Sequence, residues 1–201
     1  MNVSAVLLAG GESRRMGRDK ATLLFGREPL WRIQLGLLRK LAPFEILISA
    51  RTDPTWRPVD VYFVADEPPS RGPLSGIKAA LARTATTHLL TLAIDMPFMN
   101  EQYLRSLCCG IEPGRGVIPV IGGRAEPLAA VYPVEARAEF AAALSGSDFS
   151  LQKLAKEFVS KDRLRVVCVT KEEEALFRNL NEPIDLEPDS FVIGKSTAIK
   201  P

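Results

Sequence analysis

The chain has 201 residues, 46% hydrophobic and 25% charged, with a formal net charge of only +2. That hydrophobic content supports a genuine core. The near balance of charge argues against wholesale binding of nucleic acid or an anionic membrane, and no apolar run reaches the ~18 residues of a membrane span. Three cysteines, two of them adjacent (Cys108, Cys109), give neither a disulfide framework nor a zinc spacing. The opening lacks the pattern of a secretory signal, so the expected compartment is the cytoplasm.

In chain order, Val3–Leu8 is the first strand candidate. Leu30–Leu41 carries apolar residues at 30, 33, 35, 37, 38 and 41, a helix with one broad buried face, stopped by Pro43. Glu45–Ser49 and Val61–Val64 read as short strands, Pro73–Arg83 as a helix with Pro in its first turn, and His88–Ala93 as a buried strand ending near Asp95. Asn100 is a natural N-cap for a helix through Cys108. Val117–Ile121 and Arg124–Tyr132 flank Gly122-Gly123 as a hairpin. Helical patterns return at Val134–Leu144 and Leu151–Phe158, followed by a strand at Leu164–Thr170 and a short helix near Glu172–Phe177. The alternation predicts an α/β fold with a mostly parallel sheet and an antiparallel hairpin piece. No repeat or flexible linker interrupts it, so residues 1–186 read as one domain. The tail 187–201 has little periodicity and is expected to be partly disordered.

The most informative segment is the opening one. An apolar run ending at Leu8-Ala9 stops at Gly10-Gly11, and Arg14, Arg15, Arg18 and Lys20 follow at once. Glycines let backbone N–H groups approach an anion, and the cations neutralise a polyphosphate. The segment reads as a triphosphate-binding loop, against the plain alternative of a surface turn with solvated arginines. It is neither a P-loop nor a dinucleotide fingerprint, because Lys-Ser/Thr after the last glycine and the Gly-x-Gly-x-x-Gly spacing are both missing.

Other polar residues also follow strand ends, where open α/β sheets bind ligands. Asp95 ends an apolar strand, where a carboxylate is costly to bury without a cation; Mg²⁺ held by this carboxylate and substrate phosphates fits better than a turn-forming Asp ahead of Pro97. Gly72-Pro73-Leu74-Ser75-Gly76 lets a flat group such as a nucleobase approach the backbone, or simply packs a helix N-terminus tightly. Ser49 and Asp66 follow the second and third strands; Asp66 can hydrogen-bond a base or ribose, though a solvated loop acid is the commoner explanation. His88, the single histidine, is expected to be structural.

These segments together resemble a known family. Leu8-Ala9-Gly10-Gly11 through Arg15-Met16-Gly17 and Asp19-Lys20 is similar to the signature of small Rossmann-like nucleotidyltransferases. The pieces Glu28-Pro29-Leu30-Trp31, Gly72-Pro73-Leu74-Ser75-Gly76, Asp95-Met96-Pro97-Phe98, Glu126–Tyr132 and Asn179-Leu180-Asn181-Glu182-Pro183 make it most similar to the MobA-type molybdenum cofactor guanylyltransferases. The resemblance spans residues 3–186 and implies a three-layer α/β/α fold. It implies GMP transfer from GTP to the terminal phosphate of molybdopterin, with Mg²⁺ and release of pyrophosphate. Cofactor-delivery proteins or acceptor molybdoenzymes are the protein partners it suggests. By motif, Leu8, Ala9, Gly10, Gly11, Ser49, Asp66, Gly72, Pro73, Leu74 and Gly76 line the nucleotide. Lys20 and Arg15 meet its phosphates, Asp95 takes Mg²⁺, and Asn179 and Asn181 face the acceptor. Two positions depart from the family: Ser49 stands where it often has Asn, and Glu182 where it has Thr. Rival readings are a CTP or sugar-phosphate transferase on the same fold and a non-catalytic nucleotide-binding regulator. A NAD-dependent dehydrogenase is more distant.

Overall fold

The structure, a computed structural model, describes residues 2–10, 19–66 and 68–180. Expectations for Gly11, Arg14, Arg15, Arg18, Asn181, Glu182 and the tail 187–201 lie outside these residues.

Ten strands and five α-helices are described. Strand β1 (Ser4–Leu8) pairs in parallel with β4 (Ile46–Ala50) and β6 (His88–Ala93), and β4 pairs in parallel with β5 (Tyr62–Ala65). Beyond β6 lie β9 (Val131–Pro133), antiparallel to it, then β7 (Gly116–Ile121) and β10 (Leu164–Cys168), so the order is β10-β7-β9-β6-β1-β4-β5. Strand β8 (Arg124–Ala125) turns back on β7. A separate hairpin joins β2 (Leu24–Phe25) to β3 (Glu28–Pro29); two residues a side are too few to produce a periodic signal in the sequence.

Alternation along β1 sorts the core into two layers. Ala5 and Leu7 pack with α1 (Leu30–Lys40) and α3 (Glu101–Cys109). Val6 and Leu8 pack with α2 (Pro73–Arg83), α4 (Arg137–Ser145) and α5 (Leu151–Ser160). Helices on both faces of a mostly parallel sheet make the expected three-layer α/β/α fold. Asn100 caps α3 as the sequence suggests, its side chain accepting from the Tyr103 N–H at 2.8 Å.

Two expectations need correction. Arg124–Tyr132 is not one strand, because the chain breaks between β8 and β9 at Glu126–Ala130. Pro127 has no N–H to donate to a ladder. Its carbonyl instead accepts from the Tyr132 hydroxyl at 2.9 Å and the Thr91 hydroxyl at 3.3 Å, and the Ala129 N–H turns back to Glu126 O. Val134–Leu144 is likewise not one α-helix but a 3-10 turn at Val134–Ala136 leading into α4.

His88 begins β6, at the opposite end of that strand from Asp95. It is buried, with Nε2 within 3.0 Å of Glu112 O and 3.2 Å of Arg115 O, a structural tie. Cys108 is buried while Cys109 and Cys168 are exposed. Burial pushes the Cys108 thiol up to about 12 and the Tyr103 phenol up to about 12. At pH 8 two thiols per chain should therefore react quickly with a thiol reagent and the third only in denaturant. Unfolding restores both groups to their ordinary values, 9.0 and 10.0. Between those values and about 12 the native state holds more protons than the unfolded chain, so stability should fall as pH rises through that window. Melting curves at pH 8 and pH 10 check the sign.

Candidate active site

The site sits beyond the carboxyl ends of β1, β4, β5 and β6. Parallel pairing aligns these ends, which brings together residues far apart in the chain. The ladder continues past the strands: Ala9 N–H donates to Ser49 O at 2.8 Å, Asp66 N–H to Ala50 O at 3.0 Å, and Ile94 N–H to Leu8 O at 3.1 Å.

One half of the site is built around Asp66. Its carboxylate is buried, 5% exposed, and accepts from the Ser49 hydroxyl at 2.6 Å, with Ser70 Oγ at 3.4 Å from its other oxygen. Two glycines make this possible. A Cβ on Gly10 would stand 2.7 Å from Asp66 Oδ2, and one on Gly76 would stand 2.5 Å from Ser49 Oγ and 3.4 Å from Asp66 Oδ1. Of the two readings the sequence offers for Gly76, this contact is the tight packing at the start of α2. Its missing side chain leaves room for the Ser49–Asp66 pair. Gly72, at φ 66°, turns the chain into α2 with Pro73 in the first turn, and Leu74 is buried below it. Gly76→Ala should lower the melting temperature by roughly 2–4 °C for each of the ~1–3 kcal/mol that overpacking costs. Ser49→Ala removes the clashing hydroxyl but also the bond to Asp66, so the test is a double-mutant cycle: Gly76→Ala should cost clearly less in the Ser49→Ala background than in wild type, and an equal cost in both would sink this reading.

The other half is an ionic junction. Lys20 begins a 3-10 turn (Lys20–Thr22) that Asp19 caps, its Oδ1 accepting from the Ala21 N–H at 3.0 Å. Lys20 Nζ lies 3.1 Å from Asp95 Oδ2 and donates to Leu180 O at 3.0 Å. The Leu180 N–H in turn donates to Asp95 O at 2.9 Å. The Lys20 turn, the end of β6 and the Asn179 segment therefore meet at one point. Buried Phe177, edge-on to Tyr103 with centroids 5.2 Å apart, anchors that segment, and Asn179 stands exposed beside it. Lys20 and Asp95 are about one-fifth exposed, open enough to exchange partners.

The donor set suits a hard cation. Asp95 is a carboxylate at a strand end that already holds a cation, the Lys20 ammonium. Mg²⁺ typically takes one or two carboxylates with substrate phosphates and waters as its other ligands. Among the described residues no group of three or more His, Cys, Asp or Glu gathers at one point.

Sequence reasoning passed over three participants: Ser70, the Leu180 carbonyl and Trp56, whose indole Nε1 donates to Asp19 Oδ2 at 2.9 Å. Only Trp56 left a trace, as one of two tryptophans in the chain, set in a polar Arg- and Pro-containing loop.

Residues 5–165 match the family described as the MobA-like NTP transferase domain. The chain belongs to this family. It is 34% identical over 186 residues to a probable molybdenum cofactor guanylyltransferase of Opitutus terrae, spanning 91% of this chain and 92% of that one. With the molybdenum cofactor guanylyltransferase of Rhizobium johnstonii it shares 30% over 196 residues, or 92% and 90% of the two chains. Among solved structures it superposes on molybdopterin-guanine dinucleotide biosynthesis protein A from Archaeoglobus fulgidus with a TM-score of 0.71 at 24% identity, covering 91% of this chain and 94% of that one. A 4-diphosphocytidyl-2C-methyl-D-erythritol synthase from Anaerococcus prevotii superposes with a TM-score of 0.69 at 15% identity, over 92% of each chain. At these identities the structures show that the MobA-like fold is shared, and shared with enzymes of different printed names. The chain is a nucleotidyltransferase of this fold. No helix among the described residues is long and apolar enough to cross a membrane.

Proposed function

We propose that this chain transfers GMP from GTP to the terminal phosphate of molybdopterin, forming the guanine dinucleotide cofactor and releasing pyrophosphate. The observation that carries the reading is the junction of Lys20, Asp95 and Leu180 beside the Ser49–Asp66 pair, in a MobA-like chain. It supplies a cation for phosphates, a carboxylate for a metal and a buried acceptor for a nucleoside at one edge of the sheet.

The chemistry is displacement at the α-phosphorus. An acceptor phosphate oxygen forms the new P–O bond, the bond from the α-phosphorus to the bridging oxygen breaks, and pyrophosphate departs with its electrons. The attacking phosphate is already an anion near neutral pH, so no general base is required. The work left to the protein is positioning and electrostatic stabilisation. Lys20, with Arg15, stabilises the charge that grows on the leaving pyrophosphate. Asp66 and Ser49, with Leu8–Gly11 and Gly72–Gly76, hold the nucleoside. Asn179 and Asn181 face the acceptor. Asp95 would hold Mg²⁺, which when bound neutralises phosphate oxygens. One sheet that takes strands from β1 at Ser4 to β10 at Cys168 supports treating residues 1–186 as one catalytic domain, and a cytoplasmic setting suits the nucleotide substrate.

A thermal-shift panel of GTP, CTP, ATP and UTP with Mg²⁺, followed by pyrophosphate release with molybdopterin, tests the proposal. Preferential stabilisation by GTP and stoichiometric pyrophosphate support it. Preference for CTP would move the chain to a cytidylyltransferase, and binding without release would make it a regulator.

A further inference from the structure

We propose that Trp56 is a positioning residue for Lys20; the inference rests on reading Lys20 as the phosphate-binding lysine. Lysine carries an ammonium on a flexible four-carbon stem, so its aim depends on what fixes the backbone beneath it. Here that is the Asp19 cap. One carboxylate oxygen of Asp19 accepts the Ala21 N–H and the other accepts the Trp56 indole N–H, so the cap is gripped from both sides.

Trp56 is itself well braced. Its ring stacks on Trp31 of α1, with centroids 5.6 Å apart and planes 16° from parallel. The loop that carries it, between β4 and β5, is closed by Arg57. That guanidinium makes two 2.7 Å bonds to Asp53 and a 2.6 Å bond to Val61 O. A rigid loop thus presents one indole N–H to the carboxylate that caps the Lys20 turn. Asp19 and Trp56 lie 37 positions apart in sequence and meet only because β1 and β4 are neighbours in the sheet.

The test reads Lys20 directly and needs no nucleotide. Trp56→Phe keeps an aromatic face for Trp31 but removes the N–H donor. Asp19→Ser keeps an N-cap acceptor but has no second oxygen for the indole. Amine acylation followed by peptide mass spectrometry gives the modification rate of Lys20, with Lys40 and Lys161 as references. Each variant should speed Lys20 modification about three- to tenfold, the range for losing one hydrogen bond, with the reference lysines and the melting temperature unchanged. The double variant should be no faster than either single one. An unchanged Lys20 rate in either folded variant, or additive effects, overturns the proposal; if Trp56→Phe fails to fold, Asp19→Ser, at an exposed position, decides alone. In the enzyme assay the same variants should lose about three- to tenfold in kcat/KM for GTP. A wild-type protein that releases no pyrophosphate would instead overturn the functional reading, while the acylation result still stands.

Discussion

Asp95→Asn is expected to lower turnover at saturating GTP, Mg²⁺ and acceptor by about 10²–10³, the usual loss when one preorganised electrostatic group is removed. Asn preserves the shape of the side chain but not its charge, and a hard divalent cation binds a neutral amide far less well. The fold should survive, because the Leu180 N–H binds the backbone carbonyl of residue 95 and not its side chain. The melting temperature should stay within a few degrees of wild type. A second effect has the opposite sign. In wild type the Asp95 carboxylate both repels phosphate and holds the Lys20 ammonium at 3.1 Å. Without metal, Asp95→Asn should therefore bind GTP more tightly than wild type, which calorimetry in chelator can measure. Near-normal turnover with Mg²⁺ would refute the role given to Asp95, whatever the affinity.

Phe140→Ala should have the largest effect on stability and little direct effect on chemistry. Phe140 is fully buried in the layer below α2, edge-on to Tyr132 at 5.3 Å and tilted against Phe158 at 5.5 Å. Removing a buried phenyl ring loses its transfer free energy and leaves a cavity, together about 3–5 kcal/mol. For a domain of this size that is a fall of roughly 6–20 °C in melting temperature. Thermal unfolding followed by far-UV dichroism measures it, and a loss of less than ~1 kcal/mol would mean that the three-ring cluster does not support α4 and α5. The two variants separate the layers of the molecule: Asp95→Asn should be stable and slow, Phe140→Ala unstable and, below its transition, active.

Much of this was legible from residues alone. Helices α1, α2 and α3, which start at Pro or Asn, and strands β1 and β6 carry strong apolar patterns, so local chemistry and tertiary packing agree about them. The misreadings fall where that agreement fails. Arg124–Tyr132 has a strand's composition, yet Pro127 cannot donate and its carbonyl is taken by Thr91 and Tyr132 from other parts of the sheet. The β2–β3 hairpin is too short to leave a period. Gly76 could be flagged as special from its neighbours, but not explained, because Ser49 and Asp66 are the groups that need its space.

The sequence by itself determined the class of the molecule and the parts list of its site: an α/β order of elements, a glycine-rich basic loop, and acids placed after successive apolar runs. These follow from periods of 2 and 3.6 and from the cost of burying charge, which act over a few residues. Only the tertiary structure decided which parts meet. Lys20 reaches Asp95 and Leu180, Ser49 reaches Asp66, and Trp56 reaches Asp19 across separations of 75, 160, 17 and 37 positions. Those contacts depend on strand order and register, which a one-dimensional pattern does not contain, and parallel pairing is what brings the strand ends to a common edge.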